Sequence, residues 1–146
     1  MGMDKLTSKF QQTLMDAQSF ALDKQHATLE PEHVLWVMLT QENSAVLPIL
    51  KQAGANIPQL KSVVEDNIDS FGKMSQLSGE IRPSESLLKL FNICDVLGKR
   101  GGDAFISSEL FLLAILEEKG KLAKLFEKAN LKGETLKAVI QSIRGD

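Results

Sequence analysis

Apolar residues recur at helical spacing along almost the whole chain. Phe10, Leu14, Ala17 and Ala21 form one stripe, three to four residues apart. Thr7 stands before it as a natural N-cap, because its hydroxyl can accept from an unpaired backbone N–H; the pair predicts a first helix at about residues 8–22. Pro31 suits the first position of a second helix, which runs through Leu39. A third carries Val46, Ile49, Leu50 and Ala53, tolerates Pro48 near its start, and stops at Gly54. Asn56-Ile57-Pro58 opens a fourth with Leu60, Val63, Val64 and Ile68. From Ser70 to Gly79 turn formers replace the period, which predicts a linker ending at Arg82-Pro83. Ser84 caps a fifth helix, Ser107 or Ser108 a sixth, a seventh follows Gly120, and an eighth spans about residues 134–143. No stretch alternates as a strand would.

The second half of this pattern restates the first. Glu32–Leu39 is matched 77 positions later by Glu109–Leu116, and upstream Phe10, Leu14, Ala17 and Leu29 meet Leu87, Phe91, Cys94 and Ile106. Downstream, at an offset of 76, Leu50, Ala53, Leu60, Val63 and Val64 meet Phe126, Ala129, Leu136, Val139 and Ile140. The period is too long for a solenoid unit. It predicts an all-α domain of eight helices, built from two tandem four-helix repeats related by a pseudo-twofold. The repeats span residues 4–69 and 83–144, with a linker at 70–82. One half alone has too little core, so the two pack into a single domain.

Composition narrows the function. The 146 residues are 43% hydrophobic and 25% charged, with a net charge of -2. The charges are interleaved, and no basic stripe offers a footprint for nucleic acid. The apolar runs Val34–Leu39 and Leu110–Leu116 are far below the roughly 18–20 residues of a membrane span. The N-terminus has no signal-peptide core, and Leu6 stands where myristoylation after Met1-Gly2 wants Ser or Thr. A single cysteine, Cys94, allows no intramolecular disulfide, and a cytoplasmic setting is expected. Cys94 lies on the core stripe with Leu87, Leu90 and Phe91, where a buried, inert thiol is expected. Gly98-Lys99-Arg100-Gly101-Gly102 lacks the Lys-Ser/Thr pair of a phosphate loop. His26 and His33 have no zinc-site spacing, and Glu30 and Glu32 suit a helix start. No catalytic residues, metal site or cofactor are expected, so binding comes first.

The two copies differ in a directed way. Gln11, Asp16, Ser19 and His33 of the first become Leu88, Ile93, Val96 and Leu110 in the second. The fifth helix is therefore apolar around much of its circumference, either deeply buried or presenting an apolar face. Ile93 and Leu97, one turn apart, can share a ridge that Leu110 flanks. Such a groove would take apolar polypeptide segments with little sequence demand. Thr7, Asp103 and Glu109 sit at helix starts, where capping and dipole complementation account for them.

Asp4-Lys5-Leu6-Thr7-Ser8-Lys9-Phe10, Asp16-Ala17-Gln18-Ser19 and above all Gly102–Phe111 resemble the N-terminal domain of the Clp ATPases, and among them the bacterial disaggregases. The resemblance covers essentially the whole chain. It implies a substrate-engaging, noncatalytic domain of a homohexameric AAA+ machine that threads unfolded or aggregated polypeptides with the DnaK chaperone system. ATP and magnesium would belong to ATPase modules outside this chain. It also implies importance for Thr7, Asp103 and Glu109, and an apolar substrate groove at Phe91, Ile93, Leu97 and Leu110. Phe91 is bulkier than the Leu of the family pattern. The alternative is a domain that docks an adaptor or regulator, with charge-dependent contacts to a folded partner.

Overall fold

The computed structural model describes residues 2–74 and 80–145. A 3-10 turn at Met3–Lys5 leads into α1 (Ser8–Asp23), the two-residue strand β1 (Thr28–Leu29), α2 (Pro31–Thr40), α3 (Val46–Gln52) and α4 (Ile57–Asp69). Then come β2 (Arg82–Pro83), α5 (Glu85–Arg100), α6 (Ser108–Glu118), α7 (Lys121–Lys128) and α8 (Gly133–Arg144). The architecture is all-α, with two tandem sets of four helices.

Side-chain caps set several of the helix starts. Thr7 Oγ1 accepts from the Phe10 N–H at 3.2 Å, and at the equivalent place Ser84 Oγ accepts from the Leu87 N–H at 3.1 Å. Asn56 does the same for Gln59 at 3.1 Å. Each bond satisfies a donor that the helix leaves unpaired. Gly54 follows α3 with φ +89°, a conformation that costs a residue with a Cβ. The start of α6 departs from expectation: Ser107 holds the N-cap position but makes no side-chain cap bond, and Ser108 is already helical. α8 is longer than its periodicity suggests, beginning at Gly133 and reaching Arg144.

The stretch between α4 and α5 is tied down at both ends. Phe71 packs against the core, and the Met74 N–H donates to the Gln25 carbonyl at 2.8 Å. Arg82–Pro83 form β2, with Thr28 opposite Arg82 and Leu29 opposite Pro83 in parallel register. Residues 75–79 of the expected linker lie outside the described residues.

The two halves are cross-laced. The Ser84 N–H donates to the Leu29 carbonyl at 3.0 Å, so the second half enters its first helix beside the first half's β1. The mirror arrangement exists: the Thr7 N–H donates to the Ile106 carbonyl at 2.9 Å, and the Ile106 N–H to the Lys5 carbonyl at 2.8 Å. Leu6 pairs with Ile106 as Pro83 pairs with Leu29. Since Leu6 and Pro83, like Leu29 and Ile106, are 77 positions apart, the two pairings are one contact repeated by the pseudo-twofold. Helix packing obeys the same symmetry, α4 against α7 and α3 against α8.

A single apolar core results. Phe10 of α1 meets Phe111 of α6 with ring centroids 5.6 Å apart, and Leu35, Leu60, Leu87, Ile115 and Leu136 are all fully buried around them. Burying such a side chain contributes about 1.5–3 kcal/mol before entropy is charged against it. α5 lies along α6, and Gly98 marks their close approach: a Cβ there would stand 3.4 Å from Leu110 Cδ2.

Candidate functional site

α5 sorts its apolar residues by angle. Leu87, Leu90, Cys94 and Gly98 form the fully buried stripe. At about 100° per residue, Phe91 and Ile93 fall on opposite flanks of that stripe. Both are half-buried against the core, and neither lines the large cavity described below. Leu97, one turn beyond Ile93, is half-buried at the C-terminal end of the helix, where a cavity begins. Leu88 and Val96 are exposed, at 44% and 52%. The helix thus has a buried stripe, two half-covered flanks and an outward face bearing two isolated apolar residues.

The cavity lies between the end of α5 and helices α6, α7 and α8, and encloses about 790 Å³. Leu97, Leu110, Leu113, Leu116, Ala123 and Phe126 supply its apolar lining. Leu110 is only 2% exposed, so it lies deep in this lining instead of flanking a surface ridge. Charged side chains surround the mouth: Arg100, Lys119, Lys124, Lys137 and Arg144, with Glu117, Glu127 and Glu134 among them. An apolar floor under a mixed-charge rim suits the burial of a side chain whose flanking backbone stays in water. Of the groove residues expected from sequence, the cavity unites Leu97 and Leu110 and leaves out Phe91 and Ile93. Leu113, Leu116, Ala123 and Phe126 were not singled out by the comparison of polar with apolar positions.

The three polar residues fall into two places. Thr7 caps α1 and joins the strand-like pairing to Ile106. Asp103 and Glu109 converge on one cation: Arg144 donates through Nη2 to Asp103 Oδ2, and its Nη1 lies 3.7 Å from Glu109 Oε1. Asp103 also lines a smaller cavity of about 200 Å³, with Lys5, Gly98 and Phe105. Since Arg144 lines the large cavity, the two carboxylates act on its wall through the guanidinium.

The remaining reactive groups are enclosed. Burial pushes the Cys94 thiol up to about 12, and the neighbouring Asp95 adds to the shift. In the first half His26 Nδ1 lies 2.8 Å from His33 Nε2, and His33 Nδ1 accepts from the Glu30 N–H at 2.9 Å. Burial lowers His33 to about 4, reinforced by His26, and burial followed by the charges of Lys24 and Lys73 lowers His26. Burial raises the Glu32 carboxyl. Among the described residues no group of three His, Cys, Asp or Glu side chains could hold a metal ion, and no helix is long and apolar enough to cross a membrane.

Comparison with known proteins agrees with the all-α fold. The chain is 37% identical over 145 residues to the chaperone protein ClpB of Vibrio vulnificus (strain YJ016), covering 99% of the chain and 17% of that relative. It therefore spans about a sixth of the length of that protein. The N-terminal domain of Hsp104 from Candida albicans superposes with a TM-score of 0.85 at 19% identity, covering 97% of this chain and 92% of that one. A complex of the ClpV N-domain with a VipB peptide matches with a TM-score of 0.74 at 28% identity, over 94% of this chain and 86% of that one. Residues 5–129 match the Clp repeat (R) N-terminal domain, so with its duplicated helices and shared core this chain belongs to the Clp N-terminal domain family.

Proposed function

We propose that this chain is the substrate-engaging N-terminal domain of a ClpB-like disaggregase. It binds exposed apolar segments of unfolded or aggregated polypeptides without catalysing a reaction, and passes them to an ATP-driven threading ring. The observation that carries this reading is the open apolar cavity of the second half, ringed by charge, on a chain 37% identical to about a sixth of a ClpB chaperone. On this reading ATP and magnesium are held by ATPase modules of the ring, a cytoplasmic homohexamer that works with the DnaK system. Binding through one small cavity is weak, because the client's lost freedom offsets much of the apolar gain. Six copies on a ring restore strength through avidity.

NMR titration of the labelled chain with an unfolded client tests the site. Shifts are expected at Leu97, Leu110 and Leu113; shifts confined to α1–α4 would remove the cavity from consideration. A second reading, docking of a defined adaptor or regulator, draws support from the ClpV N-domain held with a VipB peptide. Client capture tolerates scrambled apolar sequences and survives salt. Adaptor docking demands one partner and weakens steeply as salt rises.

A further inference from the structure

The two halves share a framework, but the large cavity is lined by the second alone, and the difference is one of side-chain size. Phe20, Trp36, Leu47 and Ile57 of the first half are half-buried against its core. Their counterparts, 77 or 76 positions later, are Leu97, Leu113, Ala123 and Gly133. All four line the cavity, and every one is smaller. The floor runs the other way: Phe126 replaces Leu50 and Leu131 replaces Ala55, and both are 1% exposed. Volume is missing at the mouth, above an intact base.

The first half shows what fills such a mouth. Phe20 and Trp36 lie with ring centroids 6.2 Å apart and planes inclined by 20°. Phe20 also meets His33 edge-on at 5.8 Å. Phe71, which comes from beyond the end of α4, sets against His26 and His33 at 5.4 and 5.5 Å. These two histidines are the counterparts of Asp103 and Leu110. The place left open in the second half is thus closed in the first by flat rings, one of them delivered from outside the four helices.

We infer that the second half's cavity selects an aromatic side chain, Phe or Trp, carried on an otherwise apolar unfolded segment, which completes this half as Phe20, Trp36 and Phe71 complete the other. This rests on the reading that the cavity takes polypeptide, and it specifies the anchor. A ring offers a large contact area with few torsions to freeze, whereas an aliphatic anchor leaves lining atoms without partners. The interleaved rim then receives the peptide backbone on either side without demanding a fixed charge.

The test uses the 146-residue chain and unstructured peptides that differ only at one central position, Phe, Trp, Leu or Ala, with binding read by fluorescence anisotropy. The Phe and Trp peptides should bind about tenfold or more tighter than the Ala peptide and severalfold tighter than the Leu peptide. Leu113→Trp, which installs the first half's own filling, should abolish that preference. Ala123→Leu does so independently should Leu113→Trp fail to fold, with circular dichroism as the check. Equal binding of Leu, Phe and Trp peptides overturns the aromatic preference and leaves polypeptide binding standing. Binding unchanged in both filled variants, or absent for every peptide, overturns both.

Discussion

Arg144, the last residue of α8, ion-pairs with Asp103 in the loop between α5 and α6. Both side chains are about four-fifths buried, and the guanidinium also faces Glu109. In the first half the equivalent position is Ile68, 1% exposed and part of the core. The second half therefore closes its cavity wall with a polar clasp where the first uses apolar packing. Arg144→Met should cost about 1–2 kcal/mol in urea unfolding, and a cycle with Asp103→Asn should show non-additive losses. Additive losses would mean that the pair does not couple.

Leu110 and Leu97 should separate folding from binding. Leu110→Gln places an amide in a site that is 2% exposed, and should destabilise by about 2–4 kcal/mol through desolvation and lost packing. Leu97→Gln alters a half-buried residue and should leave the fold within about 1 kcal/mol of the parent while weakening apolar peptide binding. Thermal unfolding alongside peptide anisotropy checks both. A Leu110→Gln protein that keeps its melting temperature would contradict the burial of Leu110.

Helices were readable from sequence because their signals are local. Thr7, Ser84, Asn56 and Pro31 act within one turn, and the apolar stripes repeat over many residues. The pairings of Leu6 with Ile106 and Leu29 with Pro83 were not, since two residues cannot display an alternation. The site was half legible. Asking where polar residues become apolar leads to Leu88, Ile93, Val96 and Leu110, of which only Leu110 reaches the cavity. The better signal is loss of bulk between residues that are apolar in both halves, as from Trp36 to Leu113 and from Leu47 to Ala123. Asp103 and Glu109 each read as helix-end residues because Arg144, the group that joins them, lies 41 and 35 positions away.

His33 should make stability depend on acid. Its folded pKa, about 4, lies below the ordinary 6.5, so between these values the unfolded chain binds the extra proton. The stabilisation is complete above about pH 6.5 and is lost as pH falls toward about 4, for a total of roughly 3 kcal/mol from this group. His33→Leu, which copies the residue at the second half's equivalent position, should flatten the slope in that window by about one proton. An unaltered slope in urea titrations across the range would exclude His33 as its source.

Cys94 should react only when the domain opens. Its thiol is fully buried and pushed up to about 12, so little thiolate exists at neutral pH and none of it is accessible. Labelling by a thiol reagent in native buffer should proceed no faster than unfolding, and should accelerate in step with denaturant. Prompt stoichiometric labelling of the native chain would show a route to the α5 core stripe.

The cross-laced entry strands make each half the template for the other. Severing the backbone between residues 75 and 79 would remove neither Leu6 from Ile106 nor Pro83 from Leu29. Two separately expressed fragments, each short of partners on its own, should therefore reconstitute the domain by complementation. Its folding would then be second order in fragments, and the concentration at which they assemble would measure directly what the intact chain gains from being one molecule.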